Sequence, residues 1–162
     1  MQKNYRAFFE EIKNAPREKI SLLKKKSFAL GKMKSAWVAG LAKEGIALKS
    51  LEIIQRGEDL MHARRPNKTK RLDDDFWQNL PAHLENAHAV LLDKTKMEMV
   101  ILLIYPHEKK NAKKLTLQIN KFLKENEKFA NVLRTGGVVD PQGLQGANYV
   151  LLEGKMFWDK KS

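Results

Sequence analysis

Cysteine is absent from the 162 residues. Its absence excludes a disulfide framework, thiolate-bound zinc or iron–sulfur centres and a cysteine nucleophile, and leaves the redox compartment open. Long apolar runs are missing as well. The longest, Met99 to Tyr105, is seven residues, against the roughly 20 that a bilayer-spanning helix needs, so neither a transmembrane helix nor a membrane partner is expected. Met1 to Lys13 mixes charge throughout instead of passing from basic to apolar, so no secretory signal is expected and a cytoplasmic or virion-associated location follows. There is no internal repeat, low-complexity tract, GxxxxGK[ST] phosphate loop, GxGxxG turn, GxSxG elbow or HExxH motif. His83 and His88 are five apart, which does not place two imidazoles on one helical face. No metal and no cofactor are therefore expected. Asp73, Asp74 and Asp75 precede an apolar periodic segment, where carboxylates cap a helix start.

Acidic residues are outnumbered: 31 Lys+Arg stand against 19 Asp+Glu, a formal net charge of +12. The imbalance is local. Residues 1–71 hold 18 basic and 7 acidic side chains, whereas residues 72–162 are close to neutral. A strongly basic segment joined to a balanced one points to a polyanion, and nucleic acid is the commonest. Hydrophobic residues make up 43% of the chain, enough for a packed core.

Apolar spacing divides the chain into a helical front and a stranded back. Tyr5, Phe8, Phe9 and Ile12 fall at helical intervals, and Pro16 suits the first turn of a second helix. Helices are also expected over 27–41 and 48–62, despite Gly31, Gly40 and Gly57. After a basic, exposed loop, Ala63 to Arg71, a short helix carries Phe76, Trp77 and Leu80, and Pro81 opens another turn. Five strands are then expected, over Ala89–Asp93, Glu98–Tyr105, Lys114–Asn120, Asn131–Val139 and Tyr149–Glu153. Gly136 and Gly137 suggest a bulge in the fourth. The expected fold class is α+β: N-terminal helices followed by a four- to five-stranded antiparallel sheet. Residues 1–55 form a basic helical region and residues 56–162 the α+β domain.

The candidate chemistry centres on His62, Arg64, Arg65, Lys68, Lys70 and Arg71. An imidazole titrates near neutrality and can relay a proton at a phosphodiester, while fixed cations stabilise the extra charge on the pentavalent phosphorus. The same composition describes a plain phosphate-binding surface. Lys24, Lys25 and Lys26 add a second basic cluster for nucleic acid or an acidic protein. His88 beside apolar neighbours, and Trp37, Trp77 and Trp158 outside the basic loop, read as structural.

Residues 59–93, with His62, Arg65, Lys68, Leu80-Pro81 and the strand Ala89–Asp93, resemble the C-terminal domain of phage Mu-type F proteins, the minor head or head-morphogenesis proteins. Asn131 to Leu144 (NVLRTGGVVDPQGL) and Tyr149 to Gly154 (YVLLEG) are similar to that family's closing motifs. Ala87-His88 stands where the family has a proline. The resemblance implies a barnase/EndoU/colicin/RelE-like nuclease fold and a phage or prophage origin. The histidine and basic loop, taken together with this family-like order of motifs, make His62 the expected general acid or base, Arg65 and Lys68 the expected phosphate ligands, and Arg134 with Thr135 from the facing strand the expected transition-state contacts, with Asn120 a lesser candidate. Two functions follow as expectations: a metal-independent endoribonuclease or toxin acting on RNA, or a non-enzymatic head-morphogenesis component binding DNA. A phage capsid or portal protein, or an antitoxin-like protein, is the expected protein partner.

Overall fold

The computed structural model describes residues 3–65, 71–107 and 111–156. Among them the chain runs α1 (Lys3–Lys13), a 3-10 turn (Arg17–Lys19), α2 (Ile20–Lys24), β1 (Ser27–Lys32), α3 (Ser35–Lys43), β2 (Glu52–Arg56), α4 (Gly57–Ala63), α5 (Asp74–Gln78) and α6 (Leu80–Glu85). Then follow β3 (Ala89–Asp93), β4 (Val100–Pro106), β5 (Ala112–Leu123), β6 (Lys128–Val139), a second 3-10 turn (Pro141–Leu144) and β7 (Tyr149–Gly154). The class is mixed α+β. One open sheet of seven strands has the order β1-β2-β6-β5-β4-β3-β7. All its pairings are antiparallel except β2 with β6, which is parallel.

The five C-terminal strands lie where alternation or a continuous apolar run places them. The front half differs from the expected run of helices, because two of its segments are strands in the same sheet. Residues 27–32 are an edge strand rather than the start of a helix, and residues 52–56 form a strand beside β6. Phe28, Leu30 and Met33 fit a helical stripe and a strand about equally, and pairing with β2 decides the matter. In β2, Ile53, Ile54 and Gln55 are all buried, and α4 begins at once with Gly57. The sheet therefore has seven strands instead of four or five, and one of its junctions is parallel. Pairing of β2 with β6 also joins residues on the two sides of the expected 55/56 boundary.

Helices cover one face of the sheet. Phe9, Trp37, Leu41, Leu60, Trp77 and Leu80 pack there against Ile53, Val90, Ile101, Leu103, Leu117 and Leu133. On the other face, Leu91, Leu102 and Ile104 lie under Leu144 and Met156 from the C-terminal segments. Cover on both faces explains why β4 reads as one continuous apolar run and not as an alternation. Tyr5 ties α1 to β2 by donating its hydroxyl proton to Gln55 Oε1 at 2.7 Å.

Two local features position the functional region. Gly57 has no room for a side chain, since a Cβ there would strike the carbonyl oxygen of Leu23. Its N–H donates to the Lys26 carbonyl at 2.7 Å, which brings the end of α2 against the start of α4. The second feature is a bulge in β6. Thr135 pairs with Thr116 and Leu133 with Leu117, leaving Arg134 as the extra residue. The bulge is thus at Arg134, not at the expected Gly136-Gly137. Gly136 serves close packing instead, because a Cβ would lie 2.7 Å from Leu72 Cδ1 and 2.9 Å from the Lys114 carbonyl oxygen.

Candidate phosphate-binding cleft

The amphipathic face of α4 sets the site. Leu60 and Ala63 turn into the core, so Glu58, Met61, His62 and then Arg65 are left on the outward side. β6 runs alongside, a consequence of its parallel pairing with β2. Glu58, Asp59, Met61, His62 and Arg65 line one wall of an open cleft of about 720 Å³. Lys24 at the end of α2 lines the rim, and Arg134 with Thr135 of β6 completes the lining.

Arg134 is held from two directions. Its Nε donates to Asp59 Oδ1 at 3.0 Å and its Nη1 to Gln118 Oε1 at 2.6 Å. Nη2 has no hydrogen-bond partner among the described residues. Asp59 is 5% exposed, and its Oδ2 accepts from Arg56 Nε at 2.9 Å. One buried carboxylate thus sits between two guanidiniums, and its charge is offset within the fold. Only Glu58 adds an outward-facing carboxylate to the cleft, against Lys24, Arg65 and Arg134. The balance favours an anion with several oxygens, since each cation offers more than one N–H donor.

Other basic residues named from the sequence serve the fold or stand outside this lining. Arg64 forms a two-pronged pair with Asp74, Nε to Oδ1 at 2.8 Å and Nη2 to Oδ2 at 3.0 Å, and its guanidinium lies 5.6 Å from the centroid of the Phe9 ring. The hydrogen bonds from Arg64 hold the Asp74 carboxyl below the usual carboxylate range and raise the guanidinium's own pKa. Arg71 donates to the Arg64 carbonyl at 3.1 Å. Lys26 pairs with Glu11, and Lys25 is exposed outside the cleft lining. Lys68 and Lys70 fall outside the described residues, as does Trp158. Asn120 is remote from the cleft: its side chain bonds the backbone of Ala47 and Lys49. Trp37 and Trp77 are buried in the core, and Asp73 caps α5 by accepting from the Phe76 N–H at 2.9 Å.

Of the residues named from the sequence, the structure places His62, Arg65, Arg134 and Thr135 in one lining and adds Lys24, which the sequence had assigned to a separate basic cluster; Glu58, Asp59 and Gln118 were not named from the sequence. Glu58 precedes His62 by one helical turn, a spacing visible in the sequence once residues 57–63 are known to be helical. Asp59 and Gln118 carry no such signal, because their partner Arg134 is remote in the chain. Comparison with known proteins finds no matching family model, no matching curated protein and no matching solved structure.

Proposed function

We propose that the cleft binds a nucleic-acid phosphodiester and cleaves RNA without a metal ion. The observation that carries this reading is the convergence of His62, Arg65, Lys24 and Arg134 on one open cleft from three separate elements. Glu58 and His62, two titratable groups one helical turn apart, suit the proton movements of transesterification. The 2′-hydroxyl loses a proton as its oxygen bonds to phosphorus. The bond to the 5′-oxygen breaks and that oxygen gains a proton, leaving a cyclic phosphate and a free 5′-hydroxyl. Arg65 and Lys68 bind phosphate oxygens. Arg134 and Thr135 meet the charge that builds on phosphorus, with Arg134 already oriented by Asp59 and Gln118. On this reading the chain is a phage- or prophage-derived relative of the Mu-type F proteins with a nuclease-like fold, working as an RNase or toxin in the cytoplasm. An antitoxin-like protein is then its natural partner.

The test is total RNA incubated with micromolar protein in EDTA. Degradation is expected, and His62→Ala abolishes it while leaving the melting curve unchanged; intact RNA with the parent protein sinks the enzymatic claim. A second reading is favoured by the exposed lysines Lys24, Lys25 and Lys26 at and just past the end of α2, together with the basic excess of residues 1–71. In it the chain is a virion or head-assembly component that contacts packaged DNA or a capsid or portal protein. It predicts DNA affinity that falls steeply between about 50 and 200 mM salt and is indifferent to His62→Ala. No helix of the described residues is long and apolar enough to cross a membrane.

A further inference from the structure

Away from the cleft, the hairpin of β5 and β6 carries an aromatic pair that packing leaves partly unused. Phe122 and Phe129 face each other across it, with ring centroids 5.2 Å apart and planes inclined by 63°. Phe129 is half-buried, whereas 47% of Phe122 remains exposed. Cross-strand aromatic pairs stabilise hairpins through mutual contact, which accounts for the pairing but not for a ring standing out in water.

The surroundings of this pair are fixed by a second bulge. Gln118 pairs with Val132, the next ladder pair is Lys121 with Ala130, and Asn120 between them has φ 57°. Asn120 Nδ2 donates to the Ala47 carbonyl at 3.0 Å, and its Oδ1 accepts from the Lys49 N–H at 2.9 Å. Asn131 Nδ2 donates to the carbonyls of Ser50 at 2.8 Å and Glu52 at 3.0 Å. These bonds pin the loop between α3 and β2 to the hairpin and set Lys49 Nζ 4.6 Å from the Phe129 ring centroid. Lys121 and Lys124 flank the outer ring in sequence. Lys128 is paired with Glu52 at 3.1 Å, and Glu125 and Glu127 lie in the turn.

We infer that this hairpin tip is a second nucleic-acid contact, at which an unpaired base of a single strand stacks on Phe122 while Lys49 and Lys124 meet the adjoining phosphates. Stacking needs an accessible π face on a rigid support and tolerates any base. A protein partner is disfavoured because one exposed ring is far short of the roughly 800 Å² that each side of a stable interface buries. Glu125 and Glu127 in the turn offset part of the lysine charge, so stacking supplies the larger share of this contact. Phe129 and Arg134 are about 17 Å apart along β6, which separates this contact from the cleft. The inference rests on the nucleic-acid reading of the cleft only for the class of ligand.

The experiment uses the full chain and an oligo(dT) of roughly 12 nucleotides, which lacks the 2′-hydroxyl and survives incubation. In fluorescence anisotropy, Phe122→Ala is expected to weaken oligo(dT) binding about tenfold and to leave binding of the matching dA·dT duplex unchanged. Phe122→Trp keeps the affinity, and oligo(dT) quenches the added indole emission relative to the parent protein. Unchanged oligo(dT) affinity in Phe122→Ala, equal losses on single strand and duplex, or an unquenched tryptophan each overturns the inference, as does a parent protein that does not bind oligo(dT). Arg134→Ala, by contrast, lowers binding of both DNAs. If it has no effect while Phe122→Ala does, the cleft reading fails and the hairpin contact stands.

Discussion

Removing the Asp59 carboxylate tests the site through the fold itself. Asp59 is 5% exposed and accepts from Arg56 and Arg134 at 2.9 and 3.0 Å. Truncating one partner of a buried ion pair costs about 3–5 kcal/mol, because a charge stays behind without compensation. Both stranded guanidiniums retain some solvent here, with side-chain exposures of 15% for Arg56 and 39% for Arg134. Asp59→Ala should therefore fall just below that range, roughly 2–3 kcal/mol. For a chain of this length that lowers the melting temperature by about 4–12 °C. Arg134→Ala costs less, about 1 kcal/mol, since Arg56 still neutralises Asp59. Thermal melts of both single variants and the double variant close a cycle, and a coupling of at least about 1 kcal/mol is expected. Binding should move the other way. Asp59→Ala removes a negative charge from the cleft wall, so oligo(dT) affinity at low salt rises or holds while RNA cleavage falls with the loss of Arg134 orientation. A melt within about 1 °C of the parent, or coupling below about 0.3 kcal/mol, would refute the bridging role of Asp59. A parallel loss of affinity and cleavage would show that Asp59 supports the fold without orienting Arg134.

Two further predictions probe the frame around the site. Gly136→Ala places a methyl group 2.7 Å from Leu72 Cδ1 and 2.9 Å from a backbone oxygen; overpacking of that kind costs about 1–3 kcal/mol. On a Leu72→Ala background the same substitution should cost less than it does in the parent, and a Gly136→Ala melt that overlays the parent's removes the packing argument. His83 stacks on Phe76 with centroids 3.9 Å apart, and burial, aided by the charge of Lys113, pushes its pKa below the usual 6.5. The fold thus favours neutral imidazole, whereas the unfolded chain takes up a proton as the pH drops past 6.5. The stability linked to His83 is fully present above that value and is lost as pH falls through the lowered folded pKa. Melts between pH about 7.5 and about 5 should decline more steeply for the parent than for His83→Phe, which keeps a ring in the stack and cannot titrate; parallel profiles would refute it.

The strands of the C-terminal half were legible because alternation or continuous burial leaves few competing readings for a segment such as Val90–Leu92 or Ile101–Ile104. The front half was not, for a physical reason that differs between its two strands. β1 is an edge strand that buries only Leu30 fully, so its apolar residues carry too little period to outweigh a helical stripe. β2 buries three consecutive residues, Gln55 among them, and passes into α4 without a loop, so there is no punctuation to read. The site divides the same way. His62 and Arg65 share one helix end and could be found together by inspection, but the reach of Arg134 toward them depends on a bulge that exists only once β5 and β6 have paired. Charge is the plainest case. Of the cations that make residues 1–71 so basic, Lys26, Arg56 and Arg64 are committed to Glu11, Asp59 and Asp74. Composition counts them all alike. Nucleic acid would meet only those whose donors the fold leaves over, and among the described residues Lys24 and Arg65 are the ones from that half that line the cleft. Neutralising either should therefore weaken binding more than neutralising Arg64, whose loss should appear first in the melting curve.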